Sequence, residues 1–137
     1  MRKSKIPYLT EAELIPSFTI VCDALRKLHK IGFVHGRVMA RSMLLHADMR
    51  KGHARVVINP IFCLLKNDID QLHNGMQKSV KKAYLQSLYL APEVLQGYAL
   101  SPLSDIWSLG VTLYTLACGK FPFKNQSMIL EGQLEFP

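Results

Sequence analysis

The segment from Pro102 to Gly119 constrains the fold most, because it is the most apolar stretch of the chain and carries a helix signal at each end. Proline is favoured in the first turn of a helix, and glycine just after its last residue. One apolar stripe consists of Ile106, Leu109, Leu113 and Leu116. The rest of the helix is nearly as apolar, and the segment is shorter than the roughly 20 residues that cross a bilayer. It predicts a helix buried in a core, without a membrane span.

A second helix is predicted near the start. Thr10 and Glu13 have the spacing of a capping box, and Gly32 is typical of a helix end. Between them, apolar residues recur every three or four positions, which places them on one helical face. They are Leu14, Phe18, Val21, Leu25 and Leu28.

The middle of the chain favours strands and a loop. Two short apolar runs, at 43–45 and 55–58, flank a polar stretch at 48–53, which predicts a β-hairpin. Residues 66–82 are polar and without a clear period, so a long surface loop is expected there.

Size and composition exclude several classes of protein. The 137 residues fit one domain, and 49% hydrophobic with 20% charged residues is ordinary for a globular protein. The net charge is +7, but the basic residues are scattered and lack interleaved aromatics, so no nucleic-acid partner is expected.

Cysteine and histidine usage indicates an intracellular protein without a metal site. Cys22, Cys63 and Cys118 contain no C-x-x-C pair, which favours reduced, buried thiols in the cytoplasm or nucleus. The five histidines show no zinc-type spacing with cysteines, so no metal is expected. The first residues are charged but lack an apolar core, which excludes a signal peptide.

Four stretches in fixed order carry a resemblance. They are Leu-His-Lys-Ile-Gly-Phe-Val-His at 28–35, Leu-Ala-Pro-Glu-Val-Leu at 90–95, Asp-Ile-Trp-Ser-Leu-Gly at 105–110 and Gly-Lys-Phe-Pro-Phe at 119–123. Together they resemble the C-terminal lobe of eukaryotic protein kinases. The family motif residues are Ala91, Pro92, Glu93, Asp105, Trp107 and Gly110. By itself Asp105 would fit a helix cap. The resemblance implies instead that it braces the backbone of a catalytic loop.

The resemblance places that catalytic loop, His-Arg-Asp-Leu-Lys-Pro-x-Asn in the family, on residues 35–42. His35 is retained. Arg37 stands at the proton-accepting aspartate, Met39 at the phosphate-contacting lysine and Ser42 at the metal-binding asparagine. A guanidinium has no acceptor and stays protonated, so Arg37 cannot take a proton. Gly36 replaces the arginine that senses a phosphorylated activation loop in many kinases.

The second metal-binding motif of the family, Asp-Phe-Gly, falls on Asn-Pro-Ile at 59–61 or, in a shifted register, on Ile-Phe-Cys at 61–63. Neither offers a carboxylate, which magnesium prefers, although Asn59 has a carbonyl. The chain also lacks a Gly-rich loop and a Val-Ala-x-Lys strand, which belong to the ATP-binding half of the family.

We therefore expect a mostly α (α+β overall) protein kinase-like C-lobe over residues 1–137, truncated at both ends, with a small β-hairpin at the catalytic-loop position and no N-lobe. The degenerate loop predicts a pseudokinase that is not an enzyme, needs no cofactor, and acts as a binding, scaffold or allosteric module. An active kinase or its substrate is the expected partner. The subfamilies most similar are calcium/calmodulin-dependent kinases and Tribbles-like pseudokinases.

The alternative is an ATP- and Mg²⁺-dependent Ser/Thr protein kinase with atypical catalytic residues and an ATP-binding lobe outside this chain. The family's last helices, and the arginine that pairs with the Ala-Pro-Glu carboxylate, are also expected beyond residue 137. Glu93 would then need water or another partner, because a buried lone charge is costly.

Overall fold

A computed structural model describes residues 10–48, 53–58, 64–65, 87–134 and 136. These residues are mostly helical with two small antiparallel sheets, which confirms the predicted fold class. The elements are α1 (Glu11–Lys30), β1 (Phe33–Val34), a 3₁₀ turn (Ala40–Ser42), β2 (Met43–Asp48), β3 (His53–Ile58), β4 (Leu64–Leu65), α2 (Pro92–Leu95), α3 (Pro102–Cys118) and α4 (Gln126–Glu131).

Helix α1 confirms the predicted capping box. The Glu13 carboxylate accepts hydrogen bonds from the Thr10 backbone N–H at 2.8 Å and from the Thr10 hydroxyl at 2.7 Å. Both bonds favour the ionised carboxylate, the backbone bond most, so the pKa of Glu13 lies below its usual 4.5. The predicted apolar face is directed inward, with Leu14, Phe18, Val21 and Leu25 buried and Leu28 packed against them.

The predicted hairpin is confirmed. Strands β2 and β3 pair antiparallel, from Met43 opposite Ile58 to Asp48 opposite His53. A second pair, which the sequence patterns did not predict, joins β1 to β4 with Val34 opposite Leu64. Residues 49–52, 59–63 and 66–86 lie outside the described residues, and with them the whole of the predicted surface loop at 66–82.

Helix α3 begins and ends where predicted, with Ser101 as its N-cap and Gly119 in the left-handed conformation at φ 67°. The prediction that Ile106 and Leu113 line the core is wrong, because these side chains are 51% and 40% exposed. A polar stripe is buried beside Leu109, the one residue of the predicted apolar stripe that is fully buried. It consists of Ser104, Asp105, Ser108, Thr112 and Thr115.

Burial of this polar stripe is possible because each of its hydroxyl groups finds a carbonyl acceptor. Thr115 donates to the Val111 carbonyl at 2.7 Å, and Thr112 donates to the Ser108 carbonyl at 2.8 Å. A buried hydroxyl with a partner carries little of the penalty of an unpaired one. Hydrophobicity alone therefore identified only part of the buried face of α3, because Leu109 is buried and Leu116 packs against the same core, whereas Ile106 and Leu113 are exposed.

The core that positions the candidate loop lies between α1 and α3. Val38, from the loop, packs with Leu25 of α1 and Leu109 of α3. Burial of Val38 thus ties the middle of the loop to both helices.

Two further expectations can be compared with the described residues. Cys22 and Cys118 are free thiols, but Cys22 is exposed, so the predicted burial is wrong for it; Cys63 is not described. Among the described helices, none is both long and apolar enough to cross a membrane.

Candidate functional site

Asp105 is the centre of the candidate site. It lies in the first turn of α3, is 1% exposed, and reaches back about 70 residues along the chain. Its Oδ2 accepts the His35 backbone N–H at 2.8 Å and its Oδ1 accepts the Gly36 backbone N–H at 2.8 Å. His29 Nε2 lies 2.8 Å from the same Oδ2. One buried carboxylate thus fixes the start of the loop and the end of α1.

Gly36 has a local reason to be glycine. Its φ of 74° lies in the left-handed region, where a residue with a Cβ is strained. This conformation directs consecutive N–H groups, of His35 and Gly36, at one carboxylate. The glycine therefore serves the shape of the loop in addition to replacing the family's arginine.

Three further hydrogen bonds hold the rest of the loop. The Arg37 backbone N–H donates to His35 Nδ1 at 3.2 Å, and the Arg37 carbonyl accepts from the Ser42 hydroxyl at 2.6 Å. The Thr112 hydroxyl of α3 lies 3.3 Å from the Val38 carbonyl and can donate to it. Backbone groups at 35, 36, 37 and 38 are all engaged, so the loop is fixed along its length.

The loop places its predicted site residues as follows. Arg37 and Met39 are half-buried, whereas His35 and Ser42 are buried. The Ser42 hydroxyl proton is directed at the Arg37 carbonyl, so this side chain closes the loop on itself. Asn59 lies outside the described residues, so its predicted place beside this loop stays a prediction.

The described residues do not fit a magnesium site. Magnesium prefers anionic oxygen ligands, yet the loop offers only the hydroxyl of Ser42, and Arg37 adds a positive charge. No group of three or more His, Cys, Asp or Glu side chains that could hold a metal occurs in the described part of the chain.

The segment that begins with Ala91 is attached to the same helix. The Ser108 hydroxyl of α3 donates to the Tyr89 carbonyl at 2.8 Å, and Ala91, 1% exposed, is the N-cap of α2 with Pro92 in its first turn. The Glu93 carbonyl accepts the Tyr98 backbone N–H at 3.0 Å. Helix α3 therefore holds both the loop and this segment.

Trp107 and Gly110 lie on another side of α3, away from the loop. The Trp107 indole stacks on Phe123, with ring centroids 5.8 Å apart and 9° between the planes. Glu93, Trp107 and Gly110 line one groove. The structure thus separates the motif residues into a loop anchor, Asp105, a buried N-cap of α2, Ala91, and the groove-lining residues Glu93, Trp107 and Gly110.

Three residues of the site had no predicted role. Ser108 and Thr112 were predicted only as part of a core helix, and His29 as an ordinary histidine. The signal for the first two was their spacing from Asp105: positions three and seven further on share its face of the helix. The position of His29, one turn before Gly32, indicated a side chain near the start of the loop.

The chain is similar to protein kinases over nearly all of its length. The protein kinase domain model matches residues 2–135. A serine/threonine-protein kinase of Schizosaccharomyces pombe is 31% identical over 136 residues, which is 93% of this chain and 29% of that protein.

Two further relatives are similar over a large part of this chain. The 3-phosphoinositide-dependent protein kinase 1 of Arabidopsis thaliana is 28% identical over 125 residues, 85% of this chain and 25% of its own length. The RAC serine/threonine-protein kinase of Drosophila melanogaster is 31% identical over 123 residues, 85% of this chain and 18% of its own length. The chain therefore spans less than a third of each of these relatives.

These relatives contradict the expectation that the chain is not an enzyme, because they are named as protein kinases. That expectation treated the missing proton acceptor at Arg37 as decisive. A general base typically contributes about 10²- to 10⁴-fold to a rate, which is only part of a kinase's acceleration. Loss of the base therefore does not exclude phosphoryl transfer.

Proposed function

Because this chain belongs to the protein kinase family, we propose that it forms the C-terminal lobe of an ATP-dependent protein serine/threonine kinase. Its substrate is a protein hydroxyl group, and its ATP-binding residues come from sequence outside these 137 residues. The names of the relatives support this proposal, as does the order of the four motif stretches.

The observation that carries the proposal is the anchoring of the loop by Asp105. Phosphoryl transfer needs little covalent help from the protein and depends chiefly on positioning and electrostatics. A loop that is fixed at His35, Gly36, Arg37 and Val38 by hydrogen bonds supplies that rigidity.

Arg37 has a role in this proposal that does not involve taking a proton. The transferring phosphoryl group carries its charge on three oxygens, and a guanidinium can stabilise that charge through two parallel hydrogen bonds. The hydroxyl proton then leaves to solvent or to the phosphate itself. Without a proton acceptor, we expect turnover about 10²- to 10⁴-fold below that of kinases with an aspartate at this position.

The test uses the full-length protein with magnesium-ATP and a generic protein substrate. We expect measurable phosphate transfer, and a kcat about 10²- to 10³-fold lower in Arg37→Ala, the usual effect of removing one charge-stabilising donor. Arg37→Lys should retain part of the rate because it keeps the charge. Arg26→Ala is the matched control, since this exposed arginine on α1 contacts only Asp23 in the described ion pairs.

Two results would contradict the proposal. One is the absence of phosphate transfer and of any thermal stabilisation by ATP, which at 100 times Kd should add about 2.7 kcal/mol. The other is equal phosphate transfer by the unmodified protein and Arg37→Ala, which would indicate a contaminating kinase.

A second candidate function is a binding, scaffold or allosteric role for the same lobe in phosphorylation signalling. The substitutions at Arg37, Met39 and Ser42 favour it, because they change residues that handle phosphate and metal while the anchors of the loop are kept. An active kinase or its substrate is the expected partner. Co-sedimentation of the full-length protein with such a partner, unchanged in Arg37→Ala, would support this candidate.

A further inference from the structure

Ser42 makes two hydrogen bonds at the exit of the loop, directly before β2 begins at Met43. Its hydroxyl donates to the Arg37 carbonyl at 2.6 Å, and its backbone N–H donates to the Met39 carbonyl at 2.8 Å. The residue is 8% exposed, so both bonds lie where the dielectric is low and a hydrogen bond is stronger than in water. The hydroxyl bond thus closes a ring of the chain from 37 to 42.

The Arg37 backbone is held on both of its sides. On the amide side its N–H donates to His35 Nδ1 at 3.2 Å, and Asp105 accepts the two preceding N–H groups, of His35 and Gly36. On the carbonyl side the donor is the Ser42 hydroxyl. Its 2.6 Å lies at the short end of the range for O–H donors, whereas 3.2 Å lies at the long end for N–H donors. Of these two bonds of Arg37, the carbonyl bond is therefore the tighter.

Thr112 of α3 is a second hydroxyl beside the loop, but it holds the loop less firmly. Its Oγ1 lies 3.3 Å from the Val38 carbonyl and only 2.8 Å from the Ser108 carbonyl of its own helix. A hydroxyl has one proton, and the nearer acceptor takes the larger share of it. Val38 is fixed chiefly by packing, since its side chain is 1% exposed. Ser42 is thus the stronger hydroxyl contact of the loop backbone.

Ser42 stands at the position where the resemblance expects a metal-binding asparagine. A neutral hydroxyl is a poor ligand for Mg²⁺, which prefers anionic oxygens, and the proton of this hydroxyl is directed at a carbonyl. Arg37, half-buried in the same loop, adds a positive charge that repels a divalent cation. The residue therefore keeps a bond that shapes the loop while it does not fit the metal.

We propose that Ser42 is a positioning residue: its hydroxyl holds the Arg37 backbone in the geometry that phosphoryl transfer requires, and it is not a ligand of magnesium. The inference rests on the proposed function, in which the Arg37 guanidinium stabilises the transferring phosphoryl group. Ser42 acts through Arg37 and not on the reacting atoms. A displacement of about 1 Å in an active site can cost about 10²-fold in rate, so the loss of one such bond is measurable.

The kinetic test compares Ser42→Ala with Ser42→Thr in the full-length protein. Ser42→Ala removes the hydroxyl and should lower kcat by about tenfold, while KM for ATP and the Mg²⁺ concentration at half-maximal rate stay within about twofold. Ser42→Thr keeps the hydroxyl and should recover most of the rate. Ser17→Ala is the matched control, because the Ser17 hydroxyl also donates to a carbonyl, that of Glu13 at 2.8 Å, but this bond stays within α1.

Hydrogen exchange of the same proteins without ATP tests the loop itself. Peptides that cover 35–42 should exchange about three- to tenfold faster in Ser42→Ala, which is the effect of one lost hydrogen bond on local opening. Ser17→Ala should leave the exchange of these peptides unchanged. This readout does not use the reaction. If the unmodified protein transfers no phosphate, the proposed function fails, whereas faster exchange in Ser42→Ala still identifies Ser42 as the residue that holds the loop.

Three outcomes would overturn the inference. A higher Mg²⁺ requirement in Ser42→Ala, with the full kcat restored at saturating Mg²⁺, would identify Ser42 as a metal ligand. An unchanged kcat in Ser42→Ala would show that the hydroxyl bond plays no part in phosphoryl transfer. A kcat equally low in both Ser42 variants, with loop exchange in Ser42→Thr like that of the unmodified protein, would show that the bond does not govern the rate.

Discussion

Replacing Asp105 by asparagine tests how much the buried carboxylate contributes to the fold. The two side chains have the same shape, so no cavity is created. The carboxylate accepts three hydrogen bonds, from His35, Gly36 and His29, and all three are 2.8 Å long. An amide has one accepting oxygen and one donating nitrogen, so at least one donor of the loop must face another donor.

The expected loss of stability follows from these contacts. If the amide oxygen stays at the Oδ2 position, the Gly36 N–H loses its acceptor, and a buried unsatisfied group costs about 1–3 kcal/mol. The bonds to His35 and His29 change from charge-assisted to neutral, each a loss of about 1 kcal/mol. The sum is about 3–5 kcal/mol, a large part of the 5–15 kcal/mol that stabilises a typical domain.

Urea unfolding measures this loss, followed by the fluorescence of Trp107, the only tryptophan of the chain. The midpoint should fall while the slope stays constant. Asp23→Asn is the matched control, because that carboxylate is 44% exposed and its two ion pairs with Arg26 and Lys27 lie on the surface, so a change within about 0.5 kcal/mol is expected. A loss below about 1 kcal/mol for Asp105→Asn would refute the claim that this residue anchors the loop.

Three further predictions follow from local contacts. The hydrogen bonds that lower the pKa of Glu13 stabilise the fold at pH values above its usual 4.5, and this contribution is lost as the pH falls through the lower pKa of the folded state. In urea unfolding measured between pH 2 and 6, Glu13→Gln should therefore lose that part of the pH dependence of stability. Gly119→Ala should destabilise the fold by about 1 kcal/mol because φ is 67° at this position, whereas Gly110→Ala, in the interior of α3, should stabilise it by up to about 1 kcal/mol. Melting temperatures of the two variants that change in the same direction would contradict this. Leu25→Ala should cost about 2–5 kcal/mol because the side chain is 1% exposed, and a urea midpoint unchanged from the unmodified chain would show that the site is not a core position.

The sequence predicted the parts of the fold that depend on local patterns. The bounds of α1 followed from Thr10, Glu13 and Gly32, and those of α3 from Pro102 and Gly119. These signals act within one turn, so they do not depend on the rest of the chain. The pairing of β2 with β3 was predictable for the same reason, since the two strands are close in sequence.

The orientation of α3 could not be predicted in this way. Its buried face holds Ser104, Ser108 and Thr112, and burial of these residues depends on carbonyl groups supplied partly by distant segments. A hydrophobicity pattern predicts that a hydroxyl group faces solvent, because the pattern carries no information about the carbonyl that accepts its hydrogen bond. The pairing of β1 with β4 was missed for a related reason: it joins two-residue strands that are about 30 residues apart.

The role of Asp105 was implied by the resemblance and not by the residue itself. A carboxylate in the first turn of a helix fits an N-terminal charge equally well, and the sequence does not show which groups lie beside it. The structure shows that its bonds go to His35 and Gly36 across the core. By contrast, the loss of a proton acceptor at Arg37 was visible in the sequence, but the conclusion of inactivity drawn from it is contradicted by relatives that are named as protein kinases.

The long reach of Asp105 also sets an order of events during synthesis. The residues that it holds, His35 and Gly36, leave the ribosome about 70 residues before it does. Closing a chain of that length costs roughly 4 kcal/mol of entropy, which only the finished contact recovers. At a synthesis rate of about 5–20 residues per second, several seconds pass between the synthesis of the loop and that of Asp105. A nascent chain arrested before Asp105 should therefore contain α1 but an unformed loop that proteases can cleave.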